Sequence, residues 1–310
     1  MEVYALVRPG ADRYAVSRLA ARPARILAAD VSSYEEVARA VRGRRIDVVV
    51  HLAALVQRSG TIASREDFLR TNYSGTLNLC QASLEAGVRR LVHMSTADVH
   101  GASLRGQLID ENCGFAPSTD YEMSKASADR LVLLYANSGL ETIVLRPPMI
   151  YGNPCSAFFR WLFTYAGSTL VPVLGDGVTL KHFVHIEDVV ESIVLSMRRG
   201  RSGRAYVVAD ETPNTINKLL KIVGHVIGRK TNLIHIPLKE DLVLKIPSFL
   251  PWRLRYLMSW FYINRAYSIE TARTELGYRP RVGLQEGLED LFHEMRTKRS
   301  RLNARMATLV

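Results

Sequence analysis

Three side chains within residues 88–125 have the types and spacing to move a proton on an alcohol or a ketone. Tyr121 and Lys125 are four residues apart, and on a helix such positions share a face. A neighbouring ammonium favours a phenolate, so Lys125 is expected to lower the Tyr121 pKa from its ordinary value near ~10. That would make the phenol a general acid or base near neutral pH. Thr96 closes the apolar run Leu91-Val92-His93-Met94-Ser95 and offers a hydroxyl to hold the reacting oxygen. Taken alone, Tyr-x-x-x-Lys reads more readily as a surface pair on a helix.

The elements that must position these groups follow from hydrophobic patterning. Residues 3–7, 25–29, 46–52, 91–95 and 142–145 read as short strands, and the unbroken Val48-Val49-Val50 suits a parallel strand covered on both faces. Between them, 12–21, 33–41, 67–86 and 121–138 read as helices, the last two closed by Gly87 and Gly139. This alternation predicts an α/β fold, a Rossmann-like doubly wound parallel sheet. After Gly152 the rhythm loosens, with Pro154 and Pro172 as interruptions. There a smaller C-terminal α/β substrate lobe is expected, with helices at 185–198 and 214–228 and strands at 205–209 and 233–236. The predicted organisation is a nucleotide-binding domain over 1–152, a mainly substrate-binding lobe over 153–295, and a basic, solvated tail over 296–310.

The 310 residues are 47% hydrophobic and carry a net charge of +11. That balance suits an anionic ligand. The only dense basic run is residues 296–301, so nucleic-acid binding rests on charge alone and is not expected. Cys80, Cys113 and Cys155 are widely spaced, which predicts small buried thiols in a reducing compartment, without disulfides or a metal site. No leader-like segment and no apolar run long enough to span a bilayer are evident, so a cytoplasmic location is expected. Residues 241–263 are rich in aromatic side chains. They read as a lid, a surface touching membrane, or helices packing on the second lobe.

Together the motifs resemble the extended short-chain dehydrogenase/reductase family of NAD(P)-dependent epimerases, dehydratases and hydroxysteroid-type dehydrogenases. His51-Leu52-Ala53-Ala54 is similar to its "H-x-A-A", and Asn72-Tyr73-Ser74-Gly75-Thr76-Leu77-Asn78-Leu79 to "N-V-x-G-T-x-N-L". Ser95 to Gly101 resembles "S-S-x-x-V-Y-G", Leu145 to Gly152 resembles "L-R-P-x-x-V-Y-G", and Phe183 to Val189 resembles "F-V-H-V-x-D-V". Tyr121 and Lys125 match the family's catalytic pair, and the likeness runs to about Leu291. The resemblance implies that Thr96, Tyr121 and Lys125 are catalytic. It implies NAD or NADP contacts from Arg8, Asp30, Val31, Leu52, Ala53, Ala54, Asn72, Tyr121, Lys125, Pro147 and Ile150. Asp30 reads either as the acid that meets the adenine amino group or as a helix cap. Arg8 reads either as a contact to a 2′-phosphate, leaning towards NADP, or as a solvated turn residue. His51 is expected to be structural.

The resemblance further implies a nucleotide-sugar substrate, with Thr96 and Lys181 as substrate-binding residues, and a homodimer through the helices at 67–86 and 121–138. Lys181-His182 stands where the family usually has Arg-Asp, so Lys181 can meet a diphosphate only as a point charge. Ala97 stands where sugar dehydratases carry the first of two acids, with Asp98 in place of the second, which ranks dehydration lower. The alternatives are a hydroxysteroid- or dihydroflavonol-type NADP reductase, or a non-catalytic binding protein on the same fold. Finally, the family's strand and Gly-rich turn that precede residue 3 have no counterpart here. Residues 3–7 and 46–52 are therefore expected to lack the strand between them, with about thirty further residues expected upstream.

Overall fold

Apolar runs and helical segments alternate through the computed structural model, which describes residues 2–56, 63–154, 156–238, 258 and 260–307. The order begins β1 (Tyr4–Val7), α1 (Arg13–Ala20), β2 (Arg25–Ala28), α2 (Tyr34–Val41), β3 (Val48–His51) and α3 (Arg65–Phe68). A π-helical turn (Leu69–Ser74), α4 (Gly75–Glu85), β4 (Arg90–Met94) and a 3₁₀ turn (Ala97–His100) follow. Next come α5 (Asp120–Tyr135), β5 (Glu141–Arg146), β6 (Met149–Tyr151), α6 (Ala157–Ala166), β7 (Leu170–Leu174), β8 (Leu180–Lys181) and β9 (Phe183–His185). The chain continues through α7 (Ile186–Arg198), β10 (Arg204–Val207), β11 (Asn214–Thr215), α8 (Ile216–Val226), β12 (Asn232–Ile236), a second π turn (Ala272–Leu276) and α9 (Leu284–Ala307).

Two compact units result: residues 1–100, 114–146 and 193–206 form the first, and 101–113, 147–192 and 207–310 the second. In the first unit, β10-β5-β4-β3 form one sheet, with β3, β4 and β5 parallel and His51 level with His93. β4 and β5 are covered on both faces: Leu91, Val92, Ile143 and Val144 are fully buried. α2, α4 and α5 supply one cover through Val37, Leu79 and Val132.

Among the described residues β1 pairs only with β2, in a separate parallel ribbon. Among the described residues no strand pairs with β3 on the side away from β4. The expected break between residues 3–7 and 46–52 is therefore present. It shows in the burial, since all three valines of β3 and all four residues of β1 are only half-buried.

The helix expected over 67–86 is not continuous. Ser64 caps α3 with a reciprocal Asp67 box, and the helix then widens into the π turn before α4. At the junction the Thr76 hydroxyl donates to the Asn72 carbonyl (2.6 Å), the acceptor that Thr76's own amide would use in an α-helix. Gly75 permits the close approach to the loop after β2: a Cβ there would lie 2.9 Å from Val31 Cγ2.

The second unit pairs β7 with β12 and β6 with β9 in parallel, and β8 with β11 antiparallel. The expected helix at 214–228 starts later, because Asn214 and Thr215 are spent on β11 before Thr215 caps α8. Tyr151, Phe159, Phe163, Ile216 and Leu288 anchor its core. Trp260 and Phe261 are buried in the same cluster, so that end of the aromatic stretch packs inward; residues 239–257 and 259 lie outside the described residues. Residues 296–307 continue α9 rather than forming a separate tail. Cys80 is buried, and burial pushes its thiol up to about 12. Cys113 is exposed instead of buried, while Cys155 lies outside the described residues. No helix among the described residues is long and apolar enough to cross a membrane.

Candidate active site

Local sequence fixes where Tyr121 sits. Thr119 caps α5 by accepting from the Glu122 amide, and the Glu122 carboxylate accepts in return from the Thr119 and Ser118 amides and the Ser118 hydroxyl. This box starts the helix one residue before Tyr121 and brings Lys125 one turn further on. Thr96 is set by β4. Ser95 still donates to Leu145 O (2.8 Å), and Thr96 Oγ1 then accepts from the Asp98 amide (3.2 Å), opening the 3₁₀ turn. That turn packs on α5. The structure thus brings Thr96, Tyr121 and Lys125 together at the C-terminal end of the parallel strands, where open α/β sheets take their ligands.

Lys125 is buried to 1% exposure. Its Nζ donates to Met94 O (2.6 Å) and lies 3.4 Å from His93 Nε2. Burial pulls its pKa down to about 8, against the opposing pull of Asp129. Asp129 is itself held bidentately by Arg146 (2.9 and 3.0 Å), at the fully buried end of β5.

The expected depression of Tyr121 does not occur. Burial raises its phenol above the ordinary value, and the charges of Asp98 and Glu122 raise it further. The Lys125 ammonium bonds instead to Met94 O and lies beside His93. Phe68 packs edge-on against the Tyr121 ring, 6.2 Å between centroids.

Asn72, carried on the π turn, is buried. Its side-chain oxygen accepts from the Leu55 amide (2.7 Å), and its amide donates to Leu55 O and to Ser124 Oγ. It therefore ties the segment after β3 to α5. Leu52, Ala53 and Ala54 follow β3 and are exposed. His51 is buried with Nε2 3.0 Å from Thr76 Oγ1, and desolvation, with Lys125 nearby, lowers it to about 3. Asp30 is not a helix cap; Ser33 caps α2. Asp30 Oδ1 accepts from the Ser32 amide and hydroxyl, which, with the charge of Arg8, lowers its pKa against the effect of burial. Val31 is buried against Gly75, and Arg8 is exposed beyond the end of β1. Pro147, Ile150 and Lys181 belong to the second unit. There Pro147 is buried and Ile150 is 36% exposed. Lys181, expected to face a diphosphate, is buried, with Nζ donating to Ile263 O (2.5 Å) and 5.0 Å from the Trp260 ring centre.

Several unspent polar atoms fit a dinucleotide. Beyond Met94 O and His93 Nε2, the Lys125 ammonium has a third proton, and Asp30 Oδ2 has no hydrogen bond among the described residues. Ser95 Oγ, at the end of β4, is buried without a partner among the described residues. No cluster of metal-ligating side chains occurs among the described residues. Sequence reasoning missed His93, Ser124 and the Asp129–Arg146 pair. The signal for His93 was its place level with His51 on adjacent parallel strands.

The sequence profile of the NAD dependent epimerase/dehydratase family matches residues 3–209. A dTDP-glucose 4,6-dehydratase of Streptomyces niveus is 28% identical over 283 residues, covering 89% of this chain and 77% of that protein. A 4-hydroxy-2-methyl-3-oxo-4-farnesyl-3,4-dihydroquinoline-1-oxide ketoreductase of Stigmatella aurantiaca is 28% identical over 303 residues, covering 94% and 88%. Among solved structures, a double mutant of DesIV, a dTDP-glucose 4,6-dehydratase of Streptomyces venezuelae with NAD and DAU bound, superposes with a TM-score of 0.76. It is 25% identical and covers 96% of this chain and 88% of that one.

Proposed function

The chain belongs to the NAD dependent epimerase/dehydratase family, and from that premise we propose that it is an NAD-dependent enzyme acting on a secondary alcohol or ketone of a nucleotide sugar. The observation that carries the reading is the set of Thr96, Tyr121 and Lys125 on adjoining elements at the carboxyl end of the sheet. With its phenol held protonated, Tyr121 is set to donate to a substrate carbonyl oxygen, and the Thr96 hydroxyl shares that oxygen. Lys125, with one ammonium proton to spare, meets the nicotinamide ribose, and Asp30 the adenine. Bound NAD supplies or takes the hydride. NAD is preferred to NADP because the similar solved structure holds NAD; Arg8 supports no more than a charge beside Asp30.

Ala97 is fully buried in the 3₁₀ turn and brings no acid. Dehydration, which needs an acid and a base beside the hydride step, is therefore not the favoured chemistry. Epimerisation or ketone reduction remains. The relative named as a ketoreductase supports a second reading, reduction of an apolar ketone, on the same three residues. A homodimer through α4 and α5 is also proposed. On α5 and the π turn before α4, the first unit carries a groove lined by Leu69, Tyr73, Leu131 and Leu134 together with Ser127 and Arg130, with Leu134 66% exposed.

The test is to incubate the 310-residue chain with NAD and dTDP- or UDP-glucose, reading epimerised sugar by proton NMR because that reaction leaves no net change in the nicotinamide, and with NADH and the 4-keto sugars or apolar ketones, reading loss of nicotinamide absorbance. Tyr121→Phe serves as the control. Turnover of nucleotide sugars that Tyr121→Phe abolishes supports the first reading. Turnover of apolar ketones alone supports the second, and NAD binding without turnover of either would overturn both.

A further inference from the structure

We propose that His93 is a positioning residue for Lys125: it stays a neutral imidazole whose Nε2 lone pair accepts from the ammonium and holds it against the end of β4. The inference rests on the reading of Lys125 as a working residue of the site. An ammonium only donates. With Nζ 2.6 Å from Met94 O and 3.4 Å from His93 Nε2, the ring nitrogen must present its lone pair, which puts the imidazole proton on Nδ1. The same argument runs one residue further. Thr76 spends its hydroxyl proton on Asn72 O, so its oxygen accepts from His51, whose proton is therefore on Nε2.

His51 and His93 lie with ring centres 5.1 Å apart at the same level of adjacent strands. Three basic groups are thus in one buried cluster. The charged and titratable groups that act on Lys125 are His93 from β4, His51 from β3, and Asp129 from its own helix. Asp129 is committed to Arg146 of β5. The cluster holds one positive charge, on Lys125, and the two imidazoles remain neutral. Their pKa values, lowered by burial and by Lys125, agree with this. His93 Nδ1 is buried without a partner among the described residues. Leaving such a group unpaired is costly, and a phenyl ring in its place would avoid that cost while losing the Nε2 acceptor.

The experiment is nitrogen-15 imidazole NMR on the full chain, with the side-chain titration of Lys125 read in parallel. The expected result is a neutral His93 with Nδ1 protonated from about pH 5.5 to about 8. His93→Gln, which places an acceptor near the Nε2 position, should leave the Lys125 midpoint near that of the unsubstituted chain. His93→Phe should move it down by about one pH unit, since the charged form loses an acceptor. In turnover, the alkaline limb of kcat should shift the same way in His93→Phe and not in His93→Gln. An imidazolium at His93 near pH 6, or the Nε2–H tautomer, would overturn the proposal, as would an unmoved Lys125 midpoint in a folded His93→Phe. The NMR arms need no substrate. If the chain turns over no sugar or ketone while the tautomer and titration come out as expected, the functional reading fails and the positioning role of His93 stands.

Discussion

Acidification should loosen the first unit much more than the second. Folding keeps His51 and His93 neutral, with His51 at about 3 and His93 also well below its ordinary value. The unfolded chain protonates both near ~6.5. From about pH 6 down to about pH 4.5 the unfolded state therefore holds two more protons in this unit. Stability falls with pH by about 1.4 kcal/mol per proton per pH unit, or about 4 kcal/mol across the window. That is a large share of the 5–15 kcal/mol typical of a domain. Asp30, whose carboxyl is depressed, does not enter, since its contribution is lost below its unfolded value of 3.8.

In the second unit the signs oppose. His182 is lowered to about 4 by burial and so destabilises on acidification. Asp210 is raised to about 8 by burial and by Asp188, so the folded state binds the extra proton and gains stability as pH falls. The two nearly cancel. The assay is hydrogen exchange by mass spectrometry, corrected for intrinsic rate, comparing peptides of β4 and β5 with peptides of β7 and α8. His51→Gln, which keeps a donor to Thr76, should remove about 1.4 kcal/mol per pH unit from the slope of the first unit alone. Equal slopes in the two units, or an unchanged slope in His51→Gln, would refute the assignment of neutral buried imidazoles.

Three further outcomes are expected. Tyr121→Phe should lower kcat by about 10²–10⁴-fold while leaving NAD affinity within a few-fold, because it removes the proton donor and little contact; isothermal titration and turnover together check this. Asp129→Ala should destabilise the chain by about 3–5 kcal/mol by leaving the buried Arg146 guanidinium without its carboxylate, whereas Asp129→Leu with Arg146→Met should recover most of that loss; urea unfolding reads both. Backbone amides of Val48–Val50 that point away from β4 should exchange far faster than those of Leu91 and Val92, because that edge has no strand partner among the described residues. Equal protection along β3 would show that the edge is covered.

The features legible in the sequence were those written in local pattern. Thr119 and Glu122 spell a capping box, so the start of α5 and the spacing of Tyr121 and Lys125 follow without tertiary information. Val48-Val49-Val50 and Leu91-Val92 spell parallel strands, and the motif order led to the expectation that no strand lies between residues 3–7 and 46–52. What escaped depends on contacts far apart in sequence. The π turn arises because Asn72 reaches Leu55 and Ser124, and nothing in its own neighbourhood marks that. Arg146 was visible only as part of a motif, and nothing in the local pattern singles out its partner Asp129. Asp30 was read as a possible cap, but Ser33 sits closer to the first free amides of α2.

The misjudged quantity at the site was the Tyr121 proton, and the error has a structural cause. Helical spacing brings Lys125 to the same side as Tyr121, but spacing does not say where the ammonium points. Its partners are a carbonyl at the end of β4 and an imidazole on the same strand, both supplied by the sheet. The acids nearest the phenol, Asp98 and Glu122, come from the 3₁₀ turn and the capping box, two devices whose first duty is to hold Thr96 and Tyr121 in place. The scaffolding that sets the geometry therefore also sets the charge. It leaves a phenol ready to give a proton and a lysine whose charge is supported by Asp129, by one carbonyl and by the imidazole of His93. A change at His93 or Asp98 should consequently be felt first in pH dependence and only afterwards in affinity, although neither residue is one of the three groups that meet the substrate or cofactor.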